Sequence, residues 1–351
     1  MAEKKGTHTL EEIIEQAAAW RATLGTFTAN RAALEDFLNQ ADFAQVLAVG
    51  CGSTHYLAQV AATILTHRTG IPARALPSSE LWLFASAVPA GRTLLLAVSR
   101  SGATTETLQA LERFREANGG PVLAVTCYPE SPLAQRADRA LVAPEAQEHS
   151  VAQTRSFTSM LLLTQALTAV LARDAGMLKR LHRLPAALEN LVDRLGNLPL
   201  RLGVDLGVER FFFLGGGPLR GLANEAMLKT KEMSLSYAEA YYPLEFRHGP
   251  MAMVDERTLV VGFLSDTGLA KELRVLEEMQ GLGACTLALA EDGSAFGDWQ
   301  ADHIVELRSG LDEWERGPLY LPVVQRLAYH RAVAKGLDPD RPNNLEAVVQ
   351  L

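Results

Sequence analysis

Apolar residues recur along this chain in two rhythms. Leu10, Ile13, Ile14 and Ala17 fall at helical spacing, and residues 10–40 read as helices with a break at the stretch TFTAN (26–30). Four short apolar runs then alternate with helical patterns: QVLAVG (45–50), TLLLAVS (93–99), PVLAVT (121–126) and RALVAP (139–144). Runs without polar alternation, separated by helices, predict a parallel sheet covered on both faces. Two longer helical stretches follow, TSMLLLTQALTAVLA (158–172) and LKRLHRLPAALENLVDRL (178–195).

The pattern then begins again. RFFFLGGGPLRGLANEAML (210–228) parallels QVLAVGCGSTHYLAQVAAT (45–63), with Gly215 opposite Gly50 and Gly217 opposite Gly52. TLVVGFL (258–264) parallels TLLLAVS, CTLALA (285–290) parallels PVLAVT, and HIVEL (303–307) parallels RALVAP, all at a nearly constant offset. The fold class expected is therefore α/β, two tandem units that each carry a mostly parallel sheet flanked by helices. The expected boundaries are an N-terminal helical segment at 1–40, a first domain at 41–175, a second at 200–335 and a C-terminal tail at 336–351.

Composition narrows the setting. The 351 residues are 48% apolar and 21% charged, the balance of a soluble globular protein. A net charge of −8 without any Lys/Arg block argues against nucleic acid as a partner. Three dispersed cysteines form no disulfide framework, the N-terminus has no apolar signal region, and no apolar stretch spans a bilayer. A cytoplasmic location, away from membranes, is expected.

The repeats differ where ligands bind in such sheets, beyond the carboxyl ends of the strands. The turn VGCGSTHYLA (49–58) has neither a P-loop lysine nor dinucleotide glycine spacing. Together with SRSGATTET (99–107) it offers Ser53, Thr54, Ser99, Ser101, Thr104 and Thr105, plus N–H groups freed by Gly52 and Gly102. Hydroxyls and amides at helix starts suit a phosphate monoester, although single serines there are commonly ordinary caps. Arg100 adds a cation or is simply solvated. In the second half Pro218 and Leu219 stand opposite Ser53 and Thr54, and the loop after TLVVGFL reads as having lost the Ser-x-Ser-Gly pattern. Instead, NEAMLKTKE (224–232) sets Glu225, Lys229 and Glu232 on one helix face. His248 follows in a His-Gly-Pro turn. Carboxylates and one histidine, with no second His or Cys at ligand spacing, argue for acid–base chemistry rather than a metal centre. No cofactor is expected.

These stretches, with HSVAQTRSFTSM (149–160), EAMLKTKEMSLSYAEAYYPLEFRHGP (225–250) and the tail LAYHRAVAKGLDPDRPNNL (327–345), resemble the sugar isomerase (SIS) family over almost the whole chain. The likeness is to the isomerase half of glucosamine-6-phosphate synthases and their stand-alone relatives. It implies flavodoxin-like SIS units, a homodimer, and a hexose 6-phosphate as substrate. The family's phosphate contacts fall on Cys51, Gly52, Ser53, Thr54, Ser99, Arg100, Ser101 and Thr104, and its sugar-hydroxyl contacts on Val151, Ala152 and Gln153. Glu232 aligns with the residue that moves a proton between C1 and C2, His248 of the partner subunit with the ring-opening histidine, and Glu225 and Lys229 with further active-site positions. Two departures stand out. The sequence begins Met1-Ala2-Glu3 without a nucleophilic cysteine, so no glutaminase domain is expected, and Ala347 stands where the synthase tail carries an imine-forming lysine. The expected activity is conversion of glucosamine 6-phosphate to fructose 6-phosphate plus ammonia without metal or glutaminase. A non-catalytic sugar-phosphate sensor and a fructosamine-6-phosphate deglycase are the alternatives.

Overall fold

The structure, a computed structural model, describes residues 5–349. Its two sheets are each five-stranded and wholly parallel. The first contains β1 (Gln45–Gly50), β2 (Ala73–Pro77), β3 (Thr93–Val98), β4 (Val122–Thr126) and β5 (Arg139–Val142), in the order β2-β1-β3-β4-β5. The second contains β6 (Arg210–Gly215), β7 (Tyr237–Tyr241), β8 (Thr258–Phe263), β9 (Cys285–Ala290) and β10 (His303–Glu306), in the order β7-β6-β8-β9-β10. The two orders are the same, and it is the flavodoxin-like one, whose topological switch point lies between the first and third strands of each sheet. The duplication read from the apolar runs is a duplication of topology.

The chain divides into two compact units that are not contiguous in sequence. The first unit holds residues 15–148, 153–182 and 346–349; the second holds 5–14, 149–152 and 183–345. In the first unit Leu47, Val49, Leu95, Ala97, Val122 and Ala124 project from the strands onto Leu111, Phe114 and Leu133. In the second, Phe212, Val260 and Ala288 meet Phe246, Leu276 and Met279.

Three expectations are corrected. Each sheet has a fifth strand, β2 or β7, at its edge. Gln16–Gln40 is one uninterrupted helix, without the expected break at 26–30. Phe27 is buried there at 2% exposure, and Trp20 Nε1 donates to Thr158 Oγ1 at 2.9 Å from the neighbouring helix Arg155–Leu171. Tertiary packing thus outweighs the weak propensity of Thr26 and Thr28. The stretch 178–195, read as one helical run, is split between the helices Ala175–Leu181 and Leu184–Leu195. No helix among the described residues is long and apolar enough to cross a membrane.

Candidate functional site

Both glycine turns are built by the same constraint. A Cβ on Gly50 would lie 2.5 Å from the Thr54 carbonyl, and one on Gly215 would lie 2.5 Å from the Leu219 carbonyl. Only glycine lets the following helix start this close to the strand. Gly52 and Gly217 then turn the chain at φ of +53° and +52°. In the first unit the turn opens the helix Ser53–Thr69, where Cys51 N–H donates to Thr54 Oγ1 and that hydroxyl donates to the Cys51 carbonyl, both at 2.9 Å. Thr54 therefore shapes the loop as well as lining it. Ser53 is buried at 4% exposure, and burial pushes the Cys51 thiol above its ordinary value, so the turn presents a neutral thiol.

The second loop lies across the switch point. Ser99 Oγ sits 3.1 Å from Thr104 Oγ1 and accepts the Gly102 N–H at 3.1 Å; Ser101 Oγ accepts the Ala103 N–H at 3.2 Å. The helix Thr105–Ala117 begins immediately after. The first unit thus brings Cys51, Gly52, Ser53, Thr54, Ser99, Ser101 and Thr104 onto the two loops that flank the switch point. Arg100 is not solvated. Its guanidinium, 7% exposed, pairs with the buried Glu148 at 3.3 Å and donates to the Ala347 carbonyl at 3.0 Å. Glu148 also accepts the Thr154 N–H, at 2.6 Å, and the Ser156 hydroxyl. Sequence reasoning missed both Glu148 and the arrival of the tail, where the Thr105 N–H also donates to the Val349 carbonyl at 3.4 Å.

The second unit overturns the reading that its loop had lost the pattern. Ser265-Asp266-Thr267-Gly268 repeats Ser99-Arg100-Ser101-Gly102 one residue further on, and Gly268 N–H donates to Ser265 Oγ at 2.8 Å as Gly102 does to Ser99. What differs is the occupant. Glu272 accepts the Ser265 N–H and hydroxyl at 2.7 and 3.0 Å, and Glu313 accepts the Asp266 and Thr267 N–H groups at 2.6 and 3.2 Å. Burial pushes the Glu272 carboxyl up, partly opposed by those Ser265 donors. Arg316, fully buried, grips Asp266 at 2.7 and 2.6 Å. The arrangement is the charge-reversed counterpart of Arg100 on Glu148. In the second loop the Ser265, Asp266 and Thr267 N–H groups are taken by the chain's own carboxylates.

The helix Leu219–Ser234 of the second unit carries the predicted acid–base face. Lys229 is 1% exposed; its ammonium stands 3.4 Å from the fully buried Glu225 and donates to Glu232. Glu232 keeps partial contact with solvent, its side chain 18% exposed. Ala152 packs against Met233 of this helix, beside Ala328 and Ala332. Val151 and Ala152 thus belong to the same unit as Glu232, whereas Gln153, with a buried and unpartnered Oε1, is the first residue back in the other unit. His248 is exposed in the turn after Pro243–Phe246, its N–H on the Glu245 carbonyl at 3.0 Å. Among the described residues no hydrogen bond or ion pair joins it to Glu225, Lys229 or Glu232.

The candidate site thus consists of hydroxyl-lined loops at the switch point of one doubly wound unit and a carboxylate–ammonium–carboxylate helix face in the other. The SIS domain model matches residues 38–170 and 207–334, and the chain belongs to that family. It is 33% identical over 96% of its length to glutamine–fructose-6-phosphate aminotransferase [isomerizing] of Pseudomonas aeruginosa, of which it covers 57%. The chain spans about half the length of the curated relatives it matches. Among solved structures it is similar to tagatose-6-phosphate ketose/aldose isomerase from Escherichia coli, with a TM-score of 0.86, 27% identity and 95% of each chain covered. It is also similar to glucosamine-6-phosphate deaminase from Thermotoga maritima, with a TM-score of 0.80, 29% identity, and 98% of this chain and 100% of that one covered.

Proposed function

We propose that the protein is a phosphosugar isomerase acting on hexose 6-phosphates, with glucosamine 6-phosphate as substrate and fructose 6-phosphate plus ammonia as products. The observation that carries this reading is the Glu225–Lys229–Glu232 face, where a buried ammonium bridges two carboxylates and only Glu232 keeps an opening to solvent. Lys229 donates to Glu232 and holds its carboxylate in place for the general-base role. The hydroxyl-lined loops hold the phosphate, far along the sugar from the reacting carbons, so binding energy positions C1 and C2. Val151, Ala152 and Gln153 contact the sugar hydroxyls.

His248 of the partner subunit opens the ring in this scheme. Glu232 removes the C2 proton, giving an enolamine, and a proton returned to C1 leaves an imine at C2. Water hydrolyses that imine to the ketone and releases ammonia, so no lysine at position 347 is required. Replacing Glu232 with Gln removes the base and keeps the side chain's shape. Ammonia release from glucosamine 6-phosphate is expected to fall by about 10³-fold or more, while fructose 6-phosphate binding stays within about twofold. Substantial residual turnover in the glutamine variant would refute the assignment. A wild-type protein that binds fructose 6-phosphate but releases no ammonia and interconverts no sugars would instead be a sensor, and turnover confined to a lysine-linked sugar would identify a deglycase.

A further inference from the structure

The segment 149–152 belongs to the second unit although the residues on both sides of it belong to the first. It is gripped from both chain termini. Glu12, 2% exposed on the helix Thr7–Ile14, accepts the backbone N–H groups of His149 and Ser150 and the Ser150 hydroxyl. The Val151 N–H donates to the Asp340 carbonyl at 3.1 Å. The Asp340 carboxylate in turn takes the Thr9 N–H and hydroxyl, each at 2.7 Å, and the His8 N–H at 3.2 Å. A short N-terminal helix and a C-terminal stretch are thereby locked together around the backbone of 149–151. Ala152 is left lying against Met233, next to Glu232.

We propose that Glu12, acting with Asp340, is a positioning residue that sets Val151 and Ala152 against the Leu219–Ser234 helix and so tunes affinity for the sugar rather than for the phosphate. The inference rests on the sugar-phosphate reading of the site above. A carboxylate suits the task because its two oxygens can take three donors at once, and charge-assisted hydrogen bonds are stronger than neutral ones. Truncation would leave the buried Ser150 N–H and the part-buried His149 N–H without this acceptor. The phosphate-binding loops contain none of these residues, so phosphate binding provides the internal reference.

The test compares binding of inorganic phosphate and of fructose 6-phosphate by calorimetry in the full chain, for wild type, Glu12→Ala, Glu12→Gln and Ser150→Ala. Glu12→Ala is expected to weaken fructose 6-phosphate about tenfold and leave phosphate within about twofold, roughly the loss of one charge-assisted hydrogen bond. Glu12→Gln should recover most of the loss, since its carbonyl accepts the N–H groups while the Ser150 hydroxyl turns to the Ala152 carbonyl, already 3.1 Å away. Ser150→Ala, which removes a single donor, should fall between wild type and Glu12→Ala and covers the case in which Glu12→Ala does not fold. In hydrogen exchange, the amides of Ser150 and Val151 should open about tenfold faster in Glu12→Ala, with Tyr56 unchanged. Unaltered sugar binding, unaltered exchange, or parallel loss of both ligands would overturn the proposal. A wild-type protein that binds fructose 6-phosphate no better than phosphate would sink the sugar-phosphate reading itself, a result separable from any effect of Glu12.

Discussion

Lys229 is the residue whose removal tests the site most directly. Its ammonium is 1% exposed and lies 3.4 Å from Glu225, which is itself fully buried. Lys229→Met keeps the apolar stem and deletes the charge, leaving the Glu225 carboxylate in a dry interior without its counter-ion. Breaking a buried ion pair from one side costs about 3–5 kcal/mol. For a unit of this size that is a fall in Tm of roughly 6–20 °C. The double variant Glu225→Gln/Lys229→Met removes both charges together, and should regain most of the loss, because replacing a whole buried pair is close to neutral. Glu232, left alone in that variant, reaches solvent and need not remain paired. Urea denaturation of wild type, both single variants and the double completes the cycle, with a coupling of at least about 2 kcal/mol expected. A Lys229→Met protein within about 1 kcal/mol of wild type, or a double variant no more stable than the worse single, would refute the claim that the triad is held by charge in a desolvated setting.

Gly102 has φ of +63°, and a Cβ there would lie 2.1 Å from Ser131 Oγ; Gly52 has φ of +53° but open space around it. Gly102→Ala should therefore cost about 2 kcal/mol or more and abolish phosphate binding, while Gly52→Ala costs only about 1 kcal/mol, both read by urea denaturation. Equal costs would show that the Ser131 contact is irrelevant. The Arg210 side chain, hydrogen-bonded to Asp255, holds that carboxyl down at about 2, below its ordinary 3.8. A depressed folded-state pKa gives stability that is present above pH 3.8 and lost as pH falls towards about 2. Asp255→Asn should flatten that part of the stability–pH profile, and an unchanged slope would contradict the pairing. Glu313→Ala strands the Asp266 and Thr267 N–H groups and should cost about 1–3 kcal/mol, with part of the loss restored by millimolar phosphate filling the vacated donors. No phosphate response would show that the second loop cannot act as an anion cradle.

What could be read from the residues was whatever leaves a local signature. Eight strands stand out as apolar runs: the six central ones, β1, β3, β4, β6, β8 and β9, are almost wholly buried, and β5 and β10, each at one edge of its sheet, lie within the runs RALVAP and HIVEL. The strands at the opposite edges, β2 and β7, do not. Ala73–Pro77 carries Arg74 and has no fully buried residue, and Tyr237–Tyr241 buries only Ala238 and Ala240. Arg74 interrupts the first and Glu239 the second, so neither leaves an apolar run to read. The loop residues Ser53, Ser99, Ser101 and Thr104 were legible because hydroxyl and glycine at a strand–helix junction is a local motif. Glu148, Glu272 and Glu313 were not. Each is an ordinary glutamate until the fold carries it to a loop, 48 residues away for Arg100 and Glu148 and 47 for Asp266 and Glu313. The same applies to Glu12, whose partners lie 137 and 138 residues along the chain. Aligning the halves at a fixed offset placed Leu264 opposite Ser99, and a one-residue shift hid the surviving Ser265-Asp266-Thr267-Gly268 loop.

That surviving loop changes how the two halves are to be compared. Both units keep the glycine turn, the serine that caps the loop glycine, and an ion pair between the residue after that serine and the segment beyond the last strand. In the first unit the pair runs Arg100 to Glu148, and in the second it runs Asp266 to Arg316 with the charges exchanged. An exchanged pair preserves the mechanical tie and inverts the local field. The first loop then has a cation at its side where the second has a carboxylate, a setting that favours an anion from outside. The second has Asp266 in the loop, yet Glu272 and Glu313 still sit on its N–H groups, because backbone donors in the loop ahead of the helix Leu269–Gly281 require an acceptor of some kind. Once that acceptor is part of the chain, the loop gains rigidity and loses room for a ligand. Divergence between the copies therefore lies less in the donors than in who supplies the anion. That is why the hydroxyl-rich first unit is the one to test for phosphate, while the second is the one whose helix carries Glu225, Lys229 and Glu232.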